Sequence, residues 1–245
     1  WDFVGTWGMD PLINNGYPCL LWQHPEAALA SAPLFFSEYI DGTFNNKALE
    51  IYNASETDTF ALDFFRIAIA QDGGGWTTRH TFPSGALLAP GDVWVMIADE
   101  LDSALFPYAN ADEIIAWSAD SPVHFNGDDA RGLEYSPDGG TTWYLIDVFG
   151  DPDNDPGDSW LVDEGSTQDH TLLRKVYVTH GKTVWDGGSG SQSEWLAYSV
   201  NTFRYLGEHP STIVPDDYTV TFTVDMSTYP GFNPDGAAPF ITGSF

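Results

Sequence analysis

Leu34-Phe35-Phe36-Ser37-Glu38-Tyr39-Ile40 is a short run dense in aromatic and branched apolar residues, closed by Asp41-Gly42. Such a run, bounded by turn formers, has the signature of a β-strand. The same texture recurs at residues 49–53, 64–70, 92–98, 144–149, 172–178 and 218–225, with Gly, Asp, Asn and Pro clusters between the runs. Residues 218–224 alternate Tyr-Thr-Val-Thr-Phe-Thr-Val, which places Thr on one face of a half-buried strand. Helical patterns are few: residues 25–31 and 100–106 could each give a turn or two. The chain is therefore expected to be all-β.

Composition narrows the function classes. The 245 residues, 42% of them hydrophobic, suffice for one large β domain with partial neighbours. The 10 Trp, 11 Tyr and 16 Phe are read first as sandwich core and second as a sugar-stacking platform. Thirty-six acidic residues against 8 Lys plus Arg leave a net charge of −28. That charge repels phosphate backbones and anionic lipid, so nucleic acid and membrane are poor partners. It suits solubility or the holding of divalent cations. Cys19 is the single cysteine, so no internal disulfide and no cysteine zinc site can form. No apolar run approaches the roughly 20 residues of a membrane helix, and residues 1–10 do not read as a signal peptide. The abrupt start predicts a mature or excised piece of something longer.

Segmentation follows from composition. Residues 1–24 are a Trp- and Gly-rich β stub, 25–33 a Pro- and Ala-rich linker, and 34–209 the body. Residues 210–217 form a second linker, and 218–245 begin another β module too short to bury a sandwich core alone.

Within the body, seven strings follow in one order. Leu34-Phe35-Phe36-Ser37-Glu38-Tyr39-Ile40-Asp41-Gly42 precedes Asn45-Asn46-Lys47-Ala48-Leu49-Glu50-Ile51-Tyr52-Asn53. Leu87-Leu88-Ala89-Pro90-Gly91-Asp92-Val93-Trp94-Val95 comes next, then Phe125-Asn126-Gly127-Asp128-Asp129-Ala130-Arg131-Gly132-Leu133. Ile146-Asp147-Val148-Phe149-Gly150, His170-Thr171-Leu172-Leu173-Arg174-Lys175, and Glu194-Trp195 leading to Leu206-Gly207 complete the series. Together they resemble the lamin tail domain of bacterial secreted and surface proteins. That resemblance implies an immunoglobulin-like β-sandwich, with residues 99–125 and 186–193 as insertions. The first 22 residues resemble the close of a GLUG-type repeat, and residues 218–227 with 241–245 the start of a starch-binding-like sandwich. The whole then looks like a slice of a modular extracellular protein.

The motif residues carry physical roles. Asn46 belongs to a turn in which Asn tolerates left-handed φ and caps backbone groups. Glu50 faces away from Leu49 and Ile51. Asn126-Gly127 signals a tight turn, after which Asp128 and Asp129 either satisfy backbone amides or bind a cation. Arg174 suits a structural ion pair with one of these carboxylates. The most ligand-like loop carries Asp151, Asp153, Asp155 and Asp158 around Gly157. These oxygens are compatible with Ca²⁺, although Val162 stands where an EF-hand requires its bidentate Glu. The alternative is a solvated acidic turn stiffened by Pro152 and Pro156. Asn53-Ala54-Ser55 is formally a glycosylation sequon.

Catalytic signatures are missing. None of the six His lies in a His-Glu-x-x-His arrangement, and there is no Gly-x-Ser-x-Gly elbow, P-loop or dinucleotide fingerprint. The expectation is a non-enzymatic, secreted or cell-surface module, structural or adhesive, whose incomplete end segments are completed by neighbouring copies or other surface domains. A polysaccharide-binding module, or a spacer in a secreted hydrolase, is the alternative.

Overall fold

The apolar runs fold as strands, and no α-helix occurs among the described residues. The computed structural model describes residues 7–8, 19–20, 33–188 and 190–210. The chain divides into two compact units, Trp1–Ile213 and Val214–Phe245. The second unit lies outside the described residues, with the strand expected at 218–225; so do most of the stub and the helical turn expected at 25–31.

In chain order the strands are β1 (Trp7–Gly8), β2 (Cys19–Leu20), β3 (Leu34–Asp41), β4 (Lys47–Asn53), β5 (Phe60–Ala61), β6 (Phe65–Ala70), β7 (Thr78–Thr81) and β8 (Leu87–Leu88). They continue with β9 (Val93–Ala98), β10 (Glu113–Ile115), β11 (Ala130–Tyr135), β12 (Tyr144–Phe149), β13 (Leu161–Val162), β14 (Gly165–Ser166), β15 (His170–Arg174) and β16 (Trp195–Ser199). Two sheets dominate. One has six strands in the order β10-β9-β4-β3-β15-β16, the other four in the order β12-β11-β6-β7. Short two-stranded pairs, β1-β2, β5-β8 and β13-β14, complete the set. Among the described residues, all pairings are antiparallel except β9 with β10.

A single core joins the two main sheets. Leu34, Phe36, Tyr39, Leu49, Ile51, Met96, Leu172 and Trp195 from the six-stranded sheet meet Phe65, Ile67, Ile69, Leu133, Ile146 and Phe149 from the other. Tyr39 lies stacked between Phe125, at 4.2 Å, and Phe149, at 4.0 Å, and Trp195 meets Phe149 edge-on at 5.4 Å. Among the described residues these aromatics are core, because a buried ring removes the most apolar area from water.

Strand β3 is buried along its whole length, since the six-stranded sheet is covered on both faces. On the outer face Ile40, Ala48, Val93, Val95 and Ile97 pack beneath Leu101, Phe106, Phe203 and Leu206. Double burial explains why β3 and β9 read as near-continuous apolar runs without alternation. A bulge at Ser37 sets the faces: Phe36 pairs with Ile51 and Glu38 with Glu50, leaving Ser37 extra. The inward set consequently switches from Leu34 and Phe36 to Tyr39.

Several expectations are corrected by the structure. Residues 100–106 form turns, with Leu105 N donating to Asp102 O at 2.8 Å, and a 3-10 turn follows at Tyr108–Asn110. The strand expected over 172–178 ends at Arg174, and Val178 N closes a turn on Lys175 O at 2.9 Å. In the β3–β4 turn the left-handed residue is Phe44, φ 54°, and neither Asn. Asn46 does cap, accepting from Asp102 N at 2.9 Å. The sequon Asn53 is fully buried, with its side-chain amide donating to Asp58 O, Leu88 O and Ala89 O. That geometry leaves no room for a glycan.

Candidate functional site

Strand register brings three loops to one end of the four-stranded sheet. Ala130 pairs with Ala70, and Arg131 with both Ile69 and Phe149. The turn after β6, the segment entering β11 and the loop leaving β12 therefore meet. Gly73, φ 65°, is required at this meeting, because a Cβ there would sit 2.4 Å from Asp155 N. Gly75 N donates to Pro152 O at 2.8 Å and fastens the same two loops. Gly127, φ 115°, packs against Gln168 and Asp158 O, and its carbonyl accepts from Thr167 Oγ1. The Asn126-Gly127 bend is thereby held from outside the local sequence.

Arg131 anchors the segment entering β11. Its side chain is fully buried and donates to Pro122 O at 2.8 Å, Ala130 O at 2.8 Å, Ala70 O at 3.3 Å and His124 O. Burial lowers this guanidinium to about 10, and Asp129 partly opposes the fall. Asp129 is buried beside it and accepts from Asp72 N at 3.4 Å. Burial raises its carboxyl, and Arg131 offsets part of the rise.

Carboxylate oxygens of Asp72, Asp128 and Asp129 lie within 4.8 Å of one another. Asp128 is only 8% exposed, and its Oδ1 is buried without a hydrogen-bond partner. Burial first, then the charges of Asp129, Asp72 and Asp155, push Asp128 up to about 6. In the 151–158 loop, Asp151 and Asp155 turn carboxylate oxygens to their own backbone, accepting from Asp153 N at 3.1 Å and Gly157 N at 2.7 Å. Asp153 and Asp158 are exposed. Beside the cluster opens a cleft of about 300 Å³, walled by Trp117, Phe125 and His124 and edged by Gln71, Asp72 and Asn126. The Trp117 and His124 rings lie 4.3 Å apart, and Gln71 Nε2 is 3.0 Å from His124 Nδ1. Burial and Arg131 lower the His124 imidazole. The arrangement offers hard oxygen ligands beside an aromatic wall.

Arg174 does form a buried ion pair, but elsewhere. It meets Asp147 Oδ2 at 3.3 Å and Glu194 Oε2 at 2.9 Å; the guanidinium beside Asp129 is that of Arg131. Asp72 and Arg131 escaped sequence reasoning. The available signals were the Gln71-Asp72-Gly73-Gly74-Gly75 turn after an apolar run and the Asp129-Ala130-Arg131 spacing.

Glu50 is buried on the outer face of the six-stranded sheet, accepting from Ser37 Oγ at 2.6 Å and Gly207 N at 2.7 Å. Glu38, its cross-strand neighbour, is fully buried with neither carboxyl oxygen bonded. Burial raises both carboxyls, Glu38 well above the usual range, and Glu50 adds to the rise at Glu38. The folded state thus holds protons that the unfolded chain releases above about 4.5. This contribution to stability is full below that value and is lost as pH rises through the elevated folded values. Above pH 7 urea unfolding should show a stability that falls as pH rises through the elevated folded values. Glu38→Gln should remove most of that slope, and an unchanged slope in the variant would refute the assignment.

No family model matches the chain, and no curated protein matches its sequence.

Proposed function

We propose that the chain is an immunoglobulin-like sandwich of the lamin-tail kind, serving as a non-catalytic structural or adhesive module of a secreted surface protein. Strand order carries this reading. Immunoglobulin-type sandwiches place A, B and E in one sheet and G, F and C in the other, with C′ beside C in the variable form. Strands β3, β4, β6, β7, β9, β11 and β12, taken as A, B, C, C′, E, F and G, reproduce that partition: β9-β4-β3 in one sheet and β12-β11-β6-β7 in the other. The β15–β16 hairpin then extends the first sheet beyond β3.

The buried charges also favour an architectural role. Arg131 gathers backbone carbonyls, Asp147 ties strands to a loop through Arg174, and Lys47 pairs with Asp41 beneath the β3–β4 turn. Each joins elements of the fold. The borders of the four-stranded sheet, β7 and β12, are templates onto which a strand of a neighbouring copy or another surface domain can add.

The test is the assembly state of the whole chain, by sedimentation velocity and negative-stain electron microscopy over a concentration series. Concentration-dependent oligomers or fibres are expected, and a single monomeric species throughout would overturn the adhesive reading. The Trp117-walled cleft favours polysaccharide as a second reading. Retention on a polysaccharide gel that Trp117→Ala abolishes would select it.

A further inference from the structure

We propose that Asp72, Asp128 and Asp129 form a Ca²⁺ site that clasps the turn after β6 to the segment entering β11. The inference stands on the cluster's own geometry and does not depend on the module's biological role. Three carboxylate oxygens from two separate loops converge within 4.8 Å. Like charges at that spacing repel unless something neutralises them. The second observation is the buried Asp128 Oδ1, which has no hydrogen-bond partner on a side chain only 8% exposed. A buried, unsatisfied acceptor among other acceptors is matched by a cation and not by a donor already in place.

The protein's own cations meet this demand only in part, Arg131 offsetting some of the rise at Asp129. Arg131 spends its N–H groups on the carbonyls of Pro122, Ala70, Ala130 and His124. Among the described residues, no salt bridge reaches Asp72, Asp128 or Asp129. The donor set selects the ion. Oxygen-only ligands from two loops, next to an open cleft with room for water ligands, match the six to eight flexible ligands of Ca²⁺. Mg²⁺ demands tighter octahedral geometry and keeps its waters, and zinc favours nitrogen and sulfur. Asp155 is close enough to act electrostatically on Asp128, so the neighbouring loop strengthens the field at the site.

The test uses the whole chain, stripped with chelator and titrated with CaCl₂ or MgCl₂ by calorimetry and thermal unfolding. One Ca²⁺ per chain is expected, with Kd on the order of 10⁻⁵–10⁻³ M, a Tm that climbs with Ca²⁺ concentration, and a weaker response to Mg²⁺. Asp128→Asn should weaken binding by about tenfold or more while leaving the metal-free protein folded, since it removes a repelling charge. Asp72→Asn, at an exposed position, is the second variant and should weaken binding in the same way. The combined change of Asp151, Asp153 and Asp158 to Asn should leave most of the affinity intact. Absence of a heat and of a Tm shift up to about 10 mM Ca²⁺ would overturn the proposal. So would affinity that survives both Asp72→Asn and Asp128→Asn, or that disappears only in the 151–158 variant.

Discussion

Asp147→Ala is expected to cost about 3–5 kcal/mol of folding stability. Asp147 is fully buried and accepts from four donors: both Arg174 terminal nitrogens at 3.3–3.4 Å, Phe36 N at 2.8 Å and Lys182 N at 2.8 Å. It stands on β12 of one sheet, yet it holds the backbone of β3 in the other and the start of the 181–185 segment. Burial raises its carboxyl even with Arg174 alongside, so desolvation is not fully repaid by the pair. The cost of removal comes mainly from what is left behind. Arg174 keeps Glu194 but loses its buried partner, and two backbone amides lose their acceptor. Urea unfolding with an unchanged m-value measures the effect, and a loss below about 1 kcal/mol would show that the inter-sheet link is dispensable.

Tyr39 should give a pair of variants with opposite signs. Tyr39→Ala removes the ring stacked between Phe125 and Phe149, and the resulting cavity at the junction of both sheets should cost about 3–5 kcal/mol. The Tyr39 hydroxyl is buried without a hydrogen-bond partner. Tyr39→Phe keeps the stack and deletes the unsatisfied group, so it should be neutral or stabilising by up to about 1–2 kcal/mol. Thermal and urea unfolding of the two proteins check both signs. A destabilised Tyr39→Phe would mean that the hydroxyl has a partner after all.

Strands were legible wherever burial on both faces left a dense apolar run, as in β3 and β9. β11 was not, although it is the second strand of its sheet. Gly132 is a poor strand former by type, and it and Arg131 stand there for tertiary reasons. Arg131 gathers carbonyls, and Gly132 makes room for the Trp76 ring, whose atoms would lie 3.0 Å from a Cβ. The candidate site divides in the same way. Asn126-Gly127 followed by two acids announces a turn with exposed oxygens, so Asp128 and Asp129 could be singled out. Asp72 reaches them only through the Ala70–Ala130 pairing, which no local pattern encodes. Arg174 was legible as half of an ion pair because a lone buried-type cation needs a partner. Asp147 was hidden as that partner because it belongs to the opposite sheet.

The place of β3 between β4 and β15 governs how this polypeptide emerges from a ribosome. One side of β3 is zipped at once by the strand that follows it, but the other waits for Leu172 to pair with Tyr39. At about 5–20 residues per second, translation leaves that flank bare for on the order of ten seconds. During this interval the nascent chain exposes an aromatic-rich border to any passing strand. Chaperone dependence should therefore peak late in synthesis, and truncation before β15 should yield aggregates in place of a smaller folded body.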